Sequence, residues 1–245
     1  MKVRRRTMLR TQIAMEQRMF WRNGSSVFFT FLFPLLLLGF AGAFAPPEVI
    51  VPGIAALAVM STCFQSLCIQ LAFHREQGIL KRLAATPLPP SILVGGKVLT
   101  TSSVALLEIV FVGIMGKVAF GFDAPHNPLL LLVSIVLGAV AFSALAFCIA
   151  SLSKSGDTAP AFANALQLPL MFISGVFYSV DKLPGAVEYV AGAFPLLHLV
   201  EAVRIAWDPG ASDPVAIHLL VLALWGIGGV VVAARTFRWE PAHES

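Results

Sequence analysis

The sequence is poor in charged residues. Asp, Glu, Lys and Arg make up 12% of its 245 residues, whereas 58% are hydrophobic. A soluble globular domain carries about twice that charged fraction. The Lys and Arg residues lie at the ends of long apolar runs and form no patch on a soluble surface, so the net charge of +4 does not indicate nucleic-acid binding. The composition predicts an integral membrane protein in contact with the lipid bilayer.

Catalytic and nucleotide-binding motifs are absent too. Gly95-Gly96-Lys97 is followed by Val98 where a Walker A motif needs Ser or Thr, and Ser91 stands where its first glycine belongs. The sequence contains no H-E-x-x-H, no G-x-S-x-G and no paired carboxylates within an apolar run. We therefore expect no nucleotide hydrolysis, no enzymatic activity and no cofactor in this chain itself.

Cysteine is scarce and scattered. Cys63, Cys68 and Cys148 fall inside apolar runs without a C-x-x-C spacing. This pattern predicts small packing residues rather than a disulfide framework or a metal site.

Six apolar runs are long enough to cross a bilayer, which requires about 20 residues. They predict a single all-α membrane domain over 1–245 with spans at 27–45, 49–73, 98–120, 129–152, 160–180 and 215–234. Seven Lys or Arg residues precede the first span and four lie in the loop 74–97, while the segment 181–213 carries only Lys182 and Arg204. By the positive-inside rule, both termini and the loop 74–97 are cytoplasmic and 181–213 is external.

The segment 5–22 has the pattern of an amphipathic helix lying in the membrane interface. Arg10, Gln17 and Arg18 fall on its polar side, but Glu16 falls within its apolar arc and has no explanation in the pattern. The apolar arc consists of Met8, Leu9, Ile13, Met15, Met19 and Phe20.

The loop 74–97 contains a second amphipathic pattern, much shorter. Lys81 and Arg82 face away from the apolar positions Ile79, Leu80 and Leu83, and Pro87 ends the helix near residue 85. A short helix with a basic face has three readings: it lies on lipid headgroups, it docks into a partner, or it is a solvated positive-inside loop.

Polar side chains inside the spans are the next candidates. Glu108 lies within the third span, where a carboxylate costs about 2.5 to 3.5 kcal/mol, so it should face protein or water. Lys117 lies about half a turn away around the helix and is a poor partner. The amides of Gln65 and Gln70 favour helix-to-helix hydrogen bonds. Glu108 has either a functional role or a buried structural hydrogen bond.

The segment 181–213 is too polar to span the membrane, yet it holds two apolar patches. Residues 187–193 and 196–207 predict two short helices in a re-entrant or interfacial hairpin. His198 and Glu201 are spaced like a weak metal motif, but an ion pair between Glu201 and Arg204 is the commoner use of such spacing.

Three segments resemble the membrane subunit of ABC-2-type ABC exporters, the class that includes daunorubicin-resistance and nodulation-factor export permeases. The segments are Arg75-Glu76-Gln77-Gly78 through Thr86-Pro87-Leu88 with Gly96-Lys97, then Leu168-Pro169 through Ser174-Gly175-Val176-Phe177 to Leu183-Pro184, and Phe194-Pro195-Leu196-Leu197-His198 through Glu201-Ala202-Val203-Arg204. They occur in the family's order and extend over most of the chain.

The resemblance implies a role for each cytoplasmic and external segment. The helix 5–22 corresponds to the family's connecting helix, residues 77–85 to its coupling helix, and 181–213 to its external re-entrant pair, which includes Pro195, His198, Glu201 and Arg204. The residues expected to contact an ATPase are Arg75, Glu76, Gln77, Gly78, Ile79, Leu80, Lys81, Arg82 and Leu83.

The resemblance also implies an assembly and an activity. Two membrane subunits, as a homodimer or as a heterodimer with a sister permease, would work with two copies of a separate ATPase that binds ATP and Mg²⁺. The second and fifth spans would form the walls of the export path, with Gln65, Glu108, Phe172 and Phe177 as candidate lining residues. The implied location is the plasma (inner) membrane of a bacterium or archaeon.

The expected function is export of a hydrophobic or amphipathic, drug-like compound, because the lining offers few fixed charges. An alternative is export of a cell-envelope lipid or polysaccharide by the same architecture. Readings of another class are an intramembrane enzyme that uses Glu108 or the His198 and Glu201 pair, and a scaffold or channel that needs no ATPase.

Overall fold

The computed structural model describes residues 5–86, 88–153, 156–178, 185–208, 210 and 214–236, and within these ranges all regular structure is helical. The all-α prediction is confirmed; the predictions for Lys182, Pro184 and the tail beyond 236 lie outside the described residues. The helices are α1 (Arg5–Arg22), α2 (Gly24–Ala41), α3 (Pro47–Met60), a π-helical segment (Ser61–Ser66), α4 (Leu67–Glu76), α5 (Ile79–Ala84), α6 (Pro90–Phe120), α7 (Pro128–Leu152), α8 (Ala159–Ile173), α9 (Gly185–Gly192), α10 (Pro195–Trp207) and α11 (Val215–Thr236).

Five helical stretches of the described chain are long and apolar enough to cross a membrane. They are Gly24–Ala41, Pro47–Glu76, Pro90–Phe120, Pro128–Leu152 and Val215–Ala233. The second of these is α3, the π-helical segment and α4 taken together. Helices α9 and α10 meet at 93° and make a sixth crossing if the bent pair is counted as one span.

The predicted fifth span, 160–180, is shorter in the structure. Helix α8 has 15 residues and ends at Ile173, below the length that a straight crossing needs. Gly175 has a φ of 74° in the turn that follows. This left-handed conformation favours glycine and stops the helix there.

The connection between the second and third long stretches is also shorter than 74–97. Helix α4 continues to Glu76, and α6 begins at Pro90, whose missing N–H costs nothing at the first helical position. Lys97, predicted to end the loop, therefore lies two turns inside α6. This placement brings its side chain into the bundle.

The centre of the bundle is the stretch from α3 through α4. Every residue from Ile50 to Met60 is buried, and the stretch packs against α6, α7 and α10. Small residues permit the close approaches, as membrane helices require. A Cβ atom at Gly138 of α7 would lie 2.8 Å from the Leu199 side chain of α10, and a Cβ atom at Gly53 of α3 would overlap the Val176 carbonyl.

Helices α2 and α11 form the outside of the bundle. In both, few residues of the apolar window are buried, 17% in α2 and 11% in α11, as expected for helices that face lipid. Helix α2 presents a row of aromatic side chains outward, namely Phe28, Phe29, Phe33 and Phe40. Helix α10 is the opposite case, because ten of its 13 residues are buried, which agrees with the re-entrant rather than the interfacial form of the predicted hairpin.

The predicted orientation of α1 needs correction. The residues that α1 buries are the polar Gln12 and Glu16, whereas Met15 and Met19 of the predicted apolar arc are 41% and 42% exposed. The face that carries Gln12 and Glu16 packs against α6, which supplies a charged partner for it, while Arg10 and Arg18 of the predicted polar side are exposed. The exposed methionines remain available to lipid.

Candidate coupling site and intramembrane groove

A six-residue helix, α5, connects the two long stretches that enclose it. Gly78 has a φ of 67° and starts α5 by turning the chain sharply after α4. Leu80 is fully buried, so α5 is anchored to the bundle, while Lys81 and Arg82 on its other side are exposed. The short helix therefore presents a fixed basic face.

The end of α4 is tied to the turn between α7 and α8. The Arg75 guanidinium is buried and donates a hydrogen bond to the carbonyl of Ser153, and the Gly156 amide donates to the Glu76 carboxylate at 2.9 Å. A Cβ atom at Gly156 would overlap that carboxylate and the Phe73 ring, so a larger residue there would displace both. A movement of α5 would reach α8 through these contacts.

The nine predicted coupling residues therefore divide into two groups. Arg75 and Glu76 belong to α4 and face the α7–α8 turn, while the rest form the turn at Gln77 and Gly78 and the helix α5. Ile79 and Leu83 are half-buried on either side of Leu80.

A buried polar cluster, Glu16–Lys97–Gln70, joins α1, α4 and α6. The Lys97 ammonium lies 3.1 Å from the Glu16 carboxylate and donates to the Gln70 side-chain oxygen at 2.8 Å. The Gln12 amide donates to Glu16 at 3.0 Å, and Lys97 is only 1% exposed. Every charge in the cluster thus has an opposite charge and a further hydrogen-bond partner, which is the condition for a stable buried ion pair.

The π-helical segment creates a second polar region further along the bundle. The Thr62 hydroxyl donates to the Glu108 carboxyl at 2.5 Å, and this carboxyl is 2% exposed. The same segment meets α8, because the Gln65 amide donates to Asn164 at 2.5 Å and the Gln167 amide donates to the Ser61 hydroxyl at 2.9 Å. π-Helical turns within α-helices occur frequently at functional sites.

A groove of about 500 Å³ opens between the π-helical segment and α2, and we call it the Glu108 groove. Its walls carry mostly hydroxyl and amide side chains with one carboxyl. The lining residues are Ser25, Ser26, Phe29, Thr30, Phe33, Pro34, Ser61, Thr62, Gln65, Ser66 and Glu108. A smaller cavity of about 60 Å³ shares Thr30, Thr62 and Ser66 with it and extends to Glu16 and Lys97.

Two of the four predicted path residues, Gln65 and Glu108, line this groove. Phe172 and Phe177 do not belong to its lining; their rings pack on each other with centroids 6.0 Å apart at the end of α8. Phe172 is 56% exposed, so it faces outward from the single chain.

The residues of the predicted external motif hold α10 in place. Arg204 pairs with Glu201, as the spacing predicted, and also donates to the Gly175 carbonyl at 3.3 Å, which joins α10 to the turn after α8. His198 does not pair with Glu201. Its ring nitrogens lie 2.9 Å from His218 of α11 and 2.9 Å from the Gly192 carbonyl.

No described part of the chain gathers three or more His, Cys, Asp or Glu side chains in an arrangement for a metal ion. The three cysteines are unpaired, and Cys63 and Cys68 are buried. Pro195, the remaining residue of the predicted motif, is the first residue of α10 and follows the short break after α9.

The comparison with protein families decides the class of this membrane bundle. The profile described as "ABC-2 type transporter" matches residues 7–207. The chain belongs to the ABC-2 type transporter family. The match runs from α1 to the last residue of α10, so it includes α5, the buried cluster and the Glu108 groove. The sequence resemblance to this family is confirmed.

Individual proteins with similar sequences share about a quarter or less of their residues with this chain. Nodulation protein J of Bradyrhizobium diazoefficiens is 22% identical over 76% of this chain and 70% of its own length, and that of Rhizobium leguminosarum bv. viciae is 26% identical over 76% and 71%. The inner membrane transport permease YadH of Escherichia coli is 23% identical over 68% of this chain and 65% of its own length. This ABC-2 chain is an integral membrane permease.

The sequence alone did not predict which polar residues of this permease bond to one another. Glu16 stood out as a carboxylate in an apolar arc, and that anomaly was the available signal for a buried cation nearby. Its partner Lys97 lies 81 residues away, and Gln70 belongs to a third helix. Asn164 and Thr62 carried no signal of their own, because uncharged polar residues are common where membrane helices pack.

Proposed function

We propose that this chain is the membrane subunit of an ABC exporter. Together with a second permease copy it forms the path for an amphipathic compound, and a separate ATPase docked on α5 drives transport. The ATPase subunits bind the ATP and Mg²⁺, since the present chain has no Walker A motif. The second permease is either another copy of this chain or a sister protein.

The observation that carries this proposal is the geometry of α5. A docking element must be rigid and must present its charge outward, and α5 does both: Leu80 is fully buried, while Lys81 and Arg82 are exposed. Lipid headgroups would also attract a basic face, but they require no rigid connection to the rest of the bundle. The ties from α4 to the α7–α8 turn supply that connection.

The contacts around α5 also give a mechanism for transmission. A partner shifts a conformational equilibrium only if its contacts differ between the two states. An ATPase that pushes on α5 moves the end of α4, which carries the α7–α8 turn through Glu76 and Gly156. The same movement reaches α1 and α6, because Gln70 of α4 bonds to Lys97.

The proposed location is the inner membrane of a bacterium or archaeon, with both termini and α5 in the cytoplasm. Two features support it. Lys and Arg residues are concentrated in the N-terminal segment and around α5. A 23%-identical relative, YadH, carries the name of an inner membrane transport permease.

Co-purification tests the ATPase partnership. The tagged full-length chain and the ATP-binding-cassette protein encoded nearest to it would be expressed together and purified in mild detergent. We expect the wild type to retain the ATPase and the Lys81→Glu, Arg82→Glu double variant to lose at least about 90% of it, because two charges at the docking face are reversed.

The single substitution Lys117→Glu is the matched control for Lys81→Glu. Lys117 is also an exposed lysine, but it lies at the opposite end of α6 from α5. We expect Lys81→Glu to weaken retention and Lys117→Glu to leave it unchanged. Equal retention by both single variants and by the double variant would show that α5 is not the docking element, and no retention by the wild type would overturn the exporter proposal.

A further inference from the structure

The Glu108 groove brings polar side chains together beside an otherwise apolar surface. Eight of its 11 lining residues carry a hydroxyl, amide or carboxyl group: Ser25, Ser26, Thr30, Ser61, Thr62, Gln65, Ser66 and Glu108. Polar groups within a bilayer are stable only against protein, water or a bound molecule, since hydrocarbon offers them no hydrogen bonds. A volume of about 500 Å³ is within the usual size of a binding site for one small molecule.

The carboxyl at the bottom of the groove has little compensation from the protein. In the described part of the chain, the Thr62 hydroxyl is the hydrogen-bond donor to Glu108. The ion pairs Glu16–Lys97 and Glu201–Arg204 do not include it. A buried acidic group of this kind favours a ligand that brings a positive charge or a strong hydrogen-bond donor.

Two aromatic rings lie on the α2 side of the same groove. Phe29 is 66% exposed and Phe33 is 46% exposed, and both belong to the lining. A cation near the face of an aromatic ring is stabilised by the negative charge of that face. The apolar surface of α2 beyond these rings suits the hydrocarbon part of the same ligand.

We propose that the Glu108 groove binds amphipathic cations, with Glu108 as the residue that selects for positive charge. The charged end of the ligand lies against the Glu108 carboxyl and the hydroxyls of Thr30 and Thr62, and its apolar part lies against Phe29 and Phe33. The proposal rests on the proposed function in one respect, because it names the class of compound that the exporter carries. The binding site itself is testable without an ATPase.

Fluorescence anisotropy with two dyes provides that test. The full-length chain would be reconstituted in nanodiscs of uncharged phosphatidylcholine and titrated against rhodamine 6G, a permanently cationic amphiphile, and Nile red, a neutral one. We expect saturable binding of rhodamine 6G that weakens at least about 10-fold in Glu108→Gln, because an amide of the same shape cannot supply a negative charge to the bound cation. Nile red should bind the two proteins equally.

Phe29→Leu supplies a second variant that does not alter the carboxyl. Phe29 is exposed, so the substitution leaves the core of the fold intact, and we expect rhodamine 6G to bind about 2- to 5-fold more weakly. The proposal is overturned if wild-type binding does not saturate, if Glu108→Gln changes rhodamine 6G affinity by less than about 2-fold, or if both dyes weaken equally. Loss of ATPase co-purification with retained dye selectivity would reject the exporter and keep the site.

Discussion

Helix α6 carries two buried charged residues that are treated very differently. Lys97 and Glu108 are 1% and 2% exposed and lie 11 residues apart, which is three helical turns and places them on the same face. Lys97 has the Glu16 carboxylate and the Gln70 amide as partners. Glu108 has the Thr62 hydroxyl and a groove of about 500 Å³.

From this difference we infer a structural role for the cluster and propose a ligand-binding role for Glu108. The Glu16–Lys97–Gln70 cluster satisfies its charges internally and joins three helices, and the cavity that reaches it is only about 60 Å³. The Glu108 carboxyl is left short of partners at the edge of a cavity, where stability alone would favour an uncharged side chain. Residues that reduce stability in this way are typical of sites that bind or move a ligand.

The largest effect is expected from breaking the satisfied cluster. Lys97→Met leaves the Glu16 carboxylate buried without a counter-charge, which costs about 3 to 5 kcal/mol of unfolding free energy. Thermal unfolding of the purified protein, monitored by size-exclusion chromatography, measures this loss of stability. The double variant Glu16→Gln, Lys97→Met is the control, and it should recover most of the stability because no charge remains buried.

A Lys97→Met variant as stable as the wild type would contradict the structural assignment. It would mean that water or lipid headgroups reach Glu16 and replace the ammonium. A double variant that remains as unstable as Lys97→Met would instead assign the loss to packing of the methylene chain rather than to the charge.

Replacing one glutamine in each region should cause smaller losses of stability, and these can be compared. Gln70→Leu removes a hydrogen bond to the buried Lys97 ammonium and should cost about 1.5 to 3 kcal/mol, whereas Gln65→Leu removes a neutral bond to Asn164 at the groove and should cost about 0.5 to 1.5 kcal/mol. The same unfolding assay measures both. The reverse order of the two losses would show that the groove, rather than the cluster, stabilises the bundle.

Hydrophobic runs and proline positions were sufficient to predict the general fold. The start of α10 at Pro195 and the short helix α5 are properties of local sequence, and both occur where the pattern places them. The end of α8 at Ile173 was not predicted, because apolar residues continue beyond it. The helix stops there because Gly175 takes a positive φ.

The pairing of polar groups could not be predicted from local patterns. Periodicity assigns a residue to a face of its own helix, but it does not say which helix that face meets. Glu16 was therefore an anomaly until α6 brought Lys97 against it, and Glu108 was a solitary carboxylate until the π-helical segment brought Thr62 within 2.5 Å. Buried charges that break a pattern were the best indicators of both regions.

The smallest effect on stability, and one of opposite sign, is expected at Glu108. Glu108→Gln keeps the oxygen that accepts from Thr62 and removes a carboxyl whose burial is unfavourable, so the unfolding free energy should stay level or rise by about 1 kcal/mol. The unfolding assay used for Lys97→Met measures it, with Thr62→Val as the matched variant. Because Thr62→Val takes the donor away and leaves the carboxyl, it should destabilise by about 1 to 3 kcal/mol. If Glu108→Gln instead destabilised as much as Lys97→Met, Glu108 would have to be half of a buried ion pair, and its carboxyl would not be available to a ligand.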